Sequence, residues 1–166
     1  MSVSNKTDLA DFSGALEEMG FDLIATGKTA NELSSAGIAV RSVDSLTGFP
    51  EILGGRVKTL HPKILGGILA SPTDVGHRRD MNQHGIEEIG LVCVNLYPFE
   101  EMMEAREEEE LLREFIDIGG VTLLRAAAKN YPNVIVVSDP KDYSWIIERL
   151  KSSKDLSLEE RRLLAY

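Results

Sequence analysis

The chain has one cysteine, Cys93, among 166 residues. A single thiol closes no disulfide within the chain, so the fold must rest on its core, and a reducing compartment suits it. Cys93 lies inside an apolar run and reads as a small buried hydrophobe rather than a nucleophile. No apolar stretch approaches the roughly 18 residues of a membrane-spanning helix, and no signal-peptide pattern opens the chain. The expectation is a cytoplasmic protein without membrane association. Positive charge is also scarce: 18 Lys and Arg stand against 27 Asp and Glu, a net charge of −9. That balance argues against a nucleic-acid partner, which needs a basic surface. There is no complete Walker loop and no GxGxxG, and His61, His77, His84 and Cys93 lack metal-ligand spacing. Neither a nucleotide cofactor nor a metal is expected.

What is present is an ordinary globular composition, 43% hydrophobic and 27% charged, at a length that supports one domain with a real core. The charge is uneven. Residues 100–114 hold eight acids and two arginines, whereas Arg56, Lys58 and Lys63 fall in a stretch without an acid. A cationic pocket in an acidic protein points to a small anionic ligand.

Short apolar runs alternate with helical patterns. Strands are expected at 1–3, 21–25, 38–43, 91–95 and 134–137. Helices are expected at 9–19, 30–36, 75–84, 121–130, 141–151 and 157–166, the last opened by a capping box of Ser157 and Glu160. Residues 47–62 read as irregular, 64–70 as helix or strand, and 100–115 as helical or partly mobile. Tyr166 ends the chain inside a helical pattern, as though the polypeptide or a partner completed it. Strand–helix alternation with continuously apolar strands predicts an α/β fold on a mostly parallel sheet covered on both faces.

Two strand-to-helix turns have the composition of anion sites: Ser4-Asn5-Lys6-Thr7 and Thr26-Gly27-Lys28-Thr29. Helix N-termini offer free N–H groups, hydroxyls add donors and lysine adds charge. Simple helix capping is the competing reading. Gly54-Gly55 and Pro62 frame Arg56, Lys58, Thr59, His61 and Lys63. His61 before Pro62 reads as a structural hydrogen bonder. Asp117, ahead of Ile118-Gly119-Gly120, can cap a helix or act as a general base. Lys129 lies near the far end of that same helical pattern. Tyr97 follows Asn95 at the end of the 91–95 strand, where ligands bind in such sheets.

SVSNKT (2–7), TGKTA (26–30), LTGFPEILGGRVKTLHPKILGGIL (46–69), VNLYPFE (94–100) and IDIGGVTLLRAAAKN (116–130) together resemble the inosine monophosphate cyclohydrolase domain of the bifunctional purine-biosynthesis protein. The resemblance runs in order along nearly all of the chain. It implies a single domain over 1–166 with a methylglyoxal synthase-like, three-layer α/β/α sandwich and with the family's formyltransferase domain absent. It further implies ring closure of 5-formamidoimidazole-4-carboxamide ribonucleotide to inosine monophosphate, without metal, redox cofactor or nucleotide energy source. The family is typically dimeric, so a homodimer is expected, with a formyltransferase domain or partner as the source of substrate. By motif, Lys129 would be the proton donor and acceptor. Asp117 would accept a hydrogen bond from the carboxamide or deprotonate it, Lys58 stabilise the formyl oxygen, and Tyr97 hydrogen-bond the reacting groups. Arg56, Val57, Thr59, Val94, Asn95 and Ile118 would line the base and ribose pocket. Ser4, Asn5, Lys6, Thr26, Gly27, Lys28 and Thr29 would hold the 5′-phosphate. Three features depart from the family pattern: Lys28 stands where a second glycine is usual, the first strand is abbreviated, and the formyltransferase domain is missing. A phosphate-sensing regulatory domain of the same fold is the alternative. Methylglyoxal synthase itself is disfavoured, because Gly54-Gly55 leads into Arg56 rather than an aspartate.

Overall fold

A computed structural model describes residues 1–97, 99, 103 and 109–166. The elements run β1 (Ser2–Val3), α1 (Leu9–Glu18), β2 (Ile24–Ala25), α2 (Gly27–Ser35), β3 (Arg41–Ser42), α3 (Val43–Thr47), α4 (Pro62–Leu69), α5 (Val75–His84), β4 (Leu91–Asn95), α6 (Glu109–Glu114), α7 (Gly119–Lys129), β5 (Ile135–Val137), α8 (Tyr143–Ser153) and α9 (Leu158–Ala165). The reading of 100–115 as helical or partly mobile lies half outside the described residues; its described end includes α6.

All strand pairs are parallel. β1 pairs with β4 and β4 with β5, while β2 pairs with β3. Two further bonds join the pieces: the Met1 amino group donates to Ile24 O at 2.5 Å, and Thr26 N–H donates to Met1 O at 3.1 Å. The strand order is therefore β3-β2-β1-β4-β5. The connection from β1 leads to β2 on one side and that from β4 to β5 on the other, which makes the β1/β4 crevice the point where the winding reverses, the place where such sheets bind ligands.

Strand alternation sends residues to two cores. Cys93, Ile135 and Val137 face one side and pack with Leu9, Phe12 and Leu16 of α1, Leu33 of α2, and Tyr143, Ile146 and Leu150 of α8. Val92, Val94 and Val136 face the other, against Leu46 of α3, Ile64 and Ile68 of α4, and Leu123, Ala126 and Ala127 of α7. The sandwich has its three layers. Helix α1 shows why: Leu9, Phe12, Ser13 and Leu16 recur at helical spacing and all are buried. Each large apolar side chain so covered stabilises the fold by about 1.5–3 kcal/mol.

Several expected boundaries moved. Residues 26–29 are not a free turn: Gly27, Lys28 and Thr29 are the first turn of α2, with Thr26 extended before it. Val43 opens a short helix, capped when Ser42 accepts from Ser45 N–H, instead of ending a strand. Residues 64–70 are helical despite two glycines, because His61 Nδ1 caps α4 through Lys63 N–H and Pro62 takes the first helical position, where it lacks nothing. The Ser157/Glu160 capping box is formed. None of the described helices is long and apolar enough to cross a membrane.

Candidate functional site

The carboxyl ends of β1, β2 and β4 gather most of the expected residues on one edge of the sheet. At its centre is Asn95. Its Oδ1 accepts from Ser4 N–H at 2.7 Å and Asn5 N–H at 2.8 Å, and its Nδ2 donates to Asn5 O at 3.0 Å. One side chain thereby ties the turn after β1 to the end of β4 across the switch crevice. Asn95 is thus committed to shaping the turn, and what it offers a ligand is the shape.

Lys6 reaches back over the same turn. Its Nζ donates to Val3 O at 2.7 Å and lies 3.5 Å from Thr29 Oγ1. Thr29 is buried and pinned to the Val3 main chain, while Thr26 donates to Ser2 Oγ at 3.1 Å. No side chain among the described residues caps α2, which leaves the N–H groups of its first turn at the positive end of the helix open to a ligand. Burial lowers the Lys6 ammonium below the ordinary lysine value; Glu32 opposes that and Lys28 adds to it. Two ammonium groups beside an uncapped helix start make a place that an anion would stabilise. Lys28 does not distort this turn, because it is helical and is not among the residues with positive φ.

A second group stands beside the first. Val57 and Ile52 form an isolated antiparallel bridge around a tight loop, in which Gly54 and Gly55 take φ of 64° and 91°. Such values explain the glycine pair. The bridge brings Lys58 within 3.6 Å of Glu51, and a Cβ on Gly55 would stand 2.7 Å from Glu51 Oε1, so a side chain there would crowd the pair. Arg56 is ion-paired to Glu114 of α6. The acid-free stretch in the sequence is therefore supplied with acids by the fold.

Thr59, 5% exposed, abuts the start of α7: a Cβ on Gly119 would lie 2.7 Å from its Oγ1. A Cβ on Gly120 would collide with the Asp117 carboxylate and meet Leu96 at 3.0 Å. Both glycines are there for close approach. Asp117, half-buried, accepts Gly120 N–H at 2.7 Å through Oδ1, a contact that caps the helix start, and its Oδ2 has no hydrogen bond among the described residues. Tyr97 is exposed and packs edge-on against Phe115 at 5.2 Å. Ile118 is exposed as well.

Two expected residues do not join the group. Val94 points its side chain into the second core, so it offers a ligand main chain only. Lys129 is at the far end of its helix from Asp117. Helix α7 runs from the carboxyl end of β4 back to the amino end of β5, and its eleven residues span about 15 Å. Lys129 thus sits on the opposite edge of the sheet from Asp117, farther than a four-carbon stem can reach. Its neighbour Asn130 is structural there, donating to Ile68 O at 2.7 Å and Ala70 O at 2.9 Å. Glu51, Glu114, Leu96 and Phe115 were missed in the sequence. Only folding across the Ile52–Val57 bridge and between α6 and the 56–59 loop reveals them.

A family profile described as MGS-like domain matches residues 8–122, and one described as AICARFT/IMPCHase bienzyme matches residues 127–166. Bifunctional purine biosynthesis proteins PurH from Acetivibrio thermocellus and Aquifex aeolicus are 49% and 48% identical over the whole chain. That from Dictyostelium discoideum is 49% identical over 99% of it. The chain spans about a third of the length of these relatives, 32% to 33%. Among solved structures, the crystal structure of ForH aligns with a TM-score of 0.85 at 37% identity, covering 99% of this chain and 87% of that one. On these matches the chain belongs to the MGS-like domain family, in the branch found in bifunctional purine biosynthesis proteins.

Proposed function

We propose that the chain is an IMP cyclohydrolase domain, closing 5-formamidoimidazole-4-carboxamide ribonucleotide to inosine monophosphate. The observation that carries this is the shared carboxyl edge: an anion cradle at the β1/β4 switch point lies next to Asp117, Thr59, Lys58 and Tyr97. The 5′-phosphate is placed on Ser4, Asn5, Lys6 and the first turn of α2. The imidazole and ribose lie against Val57, Thr59, Ile118 and the Val94 main chain, with Arg56 alongside.

The chemistry asks for few groups. The carboxamide nitrogen is a poor nucleophile, so Asp117 takes one of its protons as it attacks the formyl carbon. The new C–N bond pushes charge onto the formyl oxygen, which Lys58 stabilises after leaving Glu51, and Tyr97 donates to it. The oxygen is protonated, the formamido nitrogen gives up its proton, and the C–O bond breaks to release water. Both reacting arms sit on adjacent ring atoms, so holding them in register supplies much of the rate. Lys129 has no part in this sequence, because it does not reach the edge. A formyltransferase, as a further domain or a separate partner, supplies the substrate, and the enzyme works as a homodimer.

The test is incubation with the formamido ribonucleotide without added metal, following inosine monophosphate by ultraviolet absorbance. Turnover is expected. Saturable binding of the nucleotide without product would sink the catalytic reading and leave a phosphate-ligand sensor.

A further inference from the structure

Among the described residues, three that are not glycine hold a positive φ: Asp8, Leu53 and Lys154. Two of them stand at helix ends, Asp8 before α1 and Lys154 after α8. Leu53 does not. Its φ of 54° falls in the loop closed by the Ile52–Val57 bridge, and Gly54 and Gly55 continue the left-handed turn after it. A bulky apolar residue is strained there, which is why glycine or asparagine is the usual occupant of such a position. Leu53 is also 71% exposed, so its side chain returns little to the fold by burial. The loop is fixed in place all the same. Ile52 N–H donates to Val57 O at 3.1 Å and closes its base. Just beyond, Arg56 is paired to Glu114, and Thr59 is buried against Gly119. Both contacts tie the loop to α6 and the start of α7, where Ile118 is exposed as well. A strained backbone thus holds an apolar side chain out in water beside the ligand edge, and strain of this kind gathers at sites where binding offsets it.

We infer that Leu53 is an apolar cover for the flat heterocycle of the ligand, a specificity-determining residue by which the edge tells a nucleotide from a bare sugar phosphate. This deepens the cyclohydrolase reading and rests on it. The polar turns after β1 and at the start of α2 serve a phosphate, and a leucine adds nothing to that task. A heterocycle has faces with apolar area to remove from water, and the ring is placed against Val57 and Ile118, beside the loop that carries Leu53. The left-handed backbone sets where the side chain stands before the ligand arrives, so no ordering cost falls on the binding step.

The experiment compares the full chain with Leu53→Asn and Leu53→Met by calorimetric titration with inosine monophosphate and with ribose 5-phosphate. Asparagine suits the left-handed turn but is polar; methionine keeps an apolar side chain. Leu53→Asn should hold or raise the thermal midpoint, by up to about 2–4 °C, because strain is relieved. The same variant should bind inosine monophosphate about tenfold more weakly and ribose 5-phosphate within about twofold of the unmodified chain. Leu53→Met should keep the nucleotide affinity within about threefold. A stability gain joined to a loss confined to the base-bearing ligand is a pair that a merely structural residue does not produce. Equal nucleotide affinity in all three proteins, or equal losses for both ligands, would overturn the inference. So would a change of oligomeric state in Leu53→Asn with nucleotide affinity unchanged, which would give the tip to a protein contact. If the unmodified chain binds ribose 5-phosphate but not inosine monophosphate, the cyclohydrolase reading itself falls.

Discussion

The two ends of α7 belong to one sequence motif and to two different places. At its start, Asp117, Gly119 and Gly120 are packed against Thr59 and Leu96 on the ligand-facing edge. At its finish, Lys129 is exposed and Asn130 pins the helix to the end of α4. In the sequence both ends mix glycine or alanine with one charge, and both look equally chemical. The helix separates them, because each residue adds a fixed rise and the following strand must start at the opposite edge of the sheet. Nearness within a motif is thus evidence for a shared helix, not for a shared site.

That contrast can be broken by substitution. Asp117→Asn should have the largest effect, a fall in kcat of about 10²–10⁴ with KM little changed, since it removes the proposed base. A loss under tenfold in a progress-curve assay would reassign Asp117 to capping alone. Lys58→Ala should lower kcat by roughly 10²–10³ by removing oxyanion stabilisation; a pure KM effect would move Lys58 to binding. Lys6→Ala should chiefly raise KM, by about tenfold, through loss of a charge-assisted contact to phosphate. At the other end, Asn130→Ala should cost about 1–3 kcal/mol in chemical denaturation by leaving two carbonyls unpaired, with kcat preserved. Lys129→Ala should be the mildest, changing kcat/KM less than about threefold. Loss of most of the rate there would mean that Lys129 meets substrate by a route other than its own chain's edge.

The amino terminus adds a pH test. Burial lowers the Met1 amine below its ordinary value of 8.0. The unfolded chain therefore binds the proton more tightly, and this group's contribution to stability should rise as pH rises from the lowered value to about 8. Acetylation of the Met1 amine should flatten that rise in thermal midpoint relative to the unmodified chain.

The parallel sheet, the 91–95 strand and the α5 and α9 helices were legible because apolar period and capping residues agree locally. The short strands were not: only Ile24 and Ala25 of the 21–25 run, and Arg41 and Ser42 of 38–43, form ladders, since pairing partners decide strand ends. Ligand-edge residues could be named because carboxyl-end turns follow strands in the sequence. Their partners could not, because the Glu51–Lys58 and Arg56–Glu114 pairs depend on a loop bridge and on a helix 58 residues away. Lys129 shows the reverse: the motif that names it does not reveal that its helix separates it from Asp117 within the chain.

The pre-existing carboxylate partners of Lys58 and Arg56 carry one more consequence. Under the proposed function an arriving ligand does not meet bare cations but displaces Glu51 from Lys58 and Glu114 from Arg56, trading one negative group for another. A nucleotide anchored elsewhere along the rim would bring its acceptors at high local concentration, an exchange that lone inorganic anions make poorly. The two acids would then act as a turnstile that favours tethered oxygen over free salt.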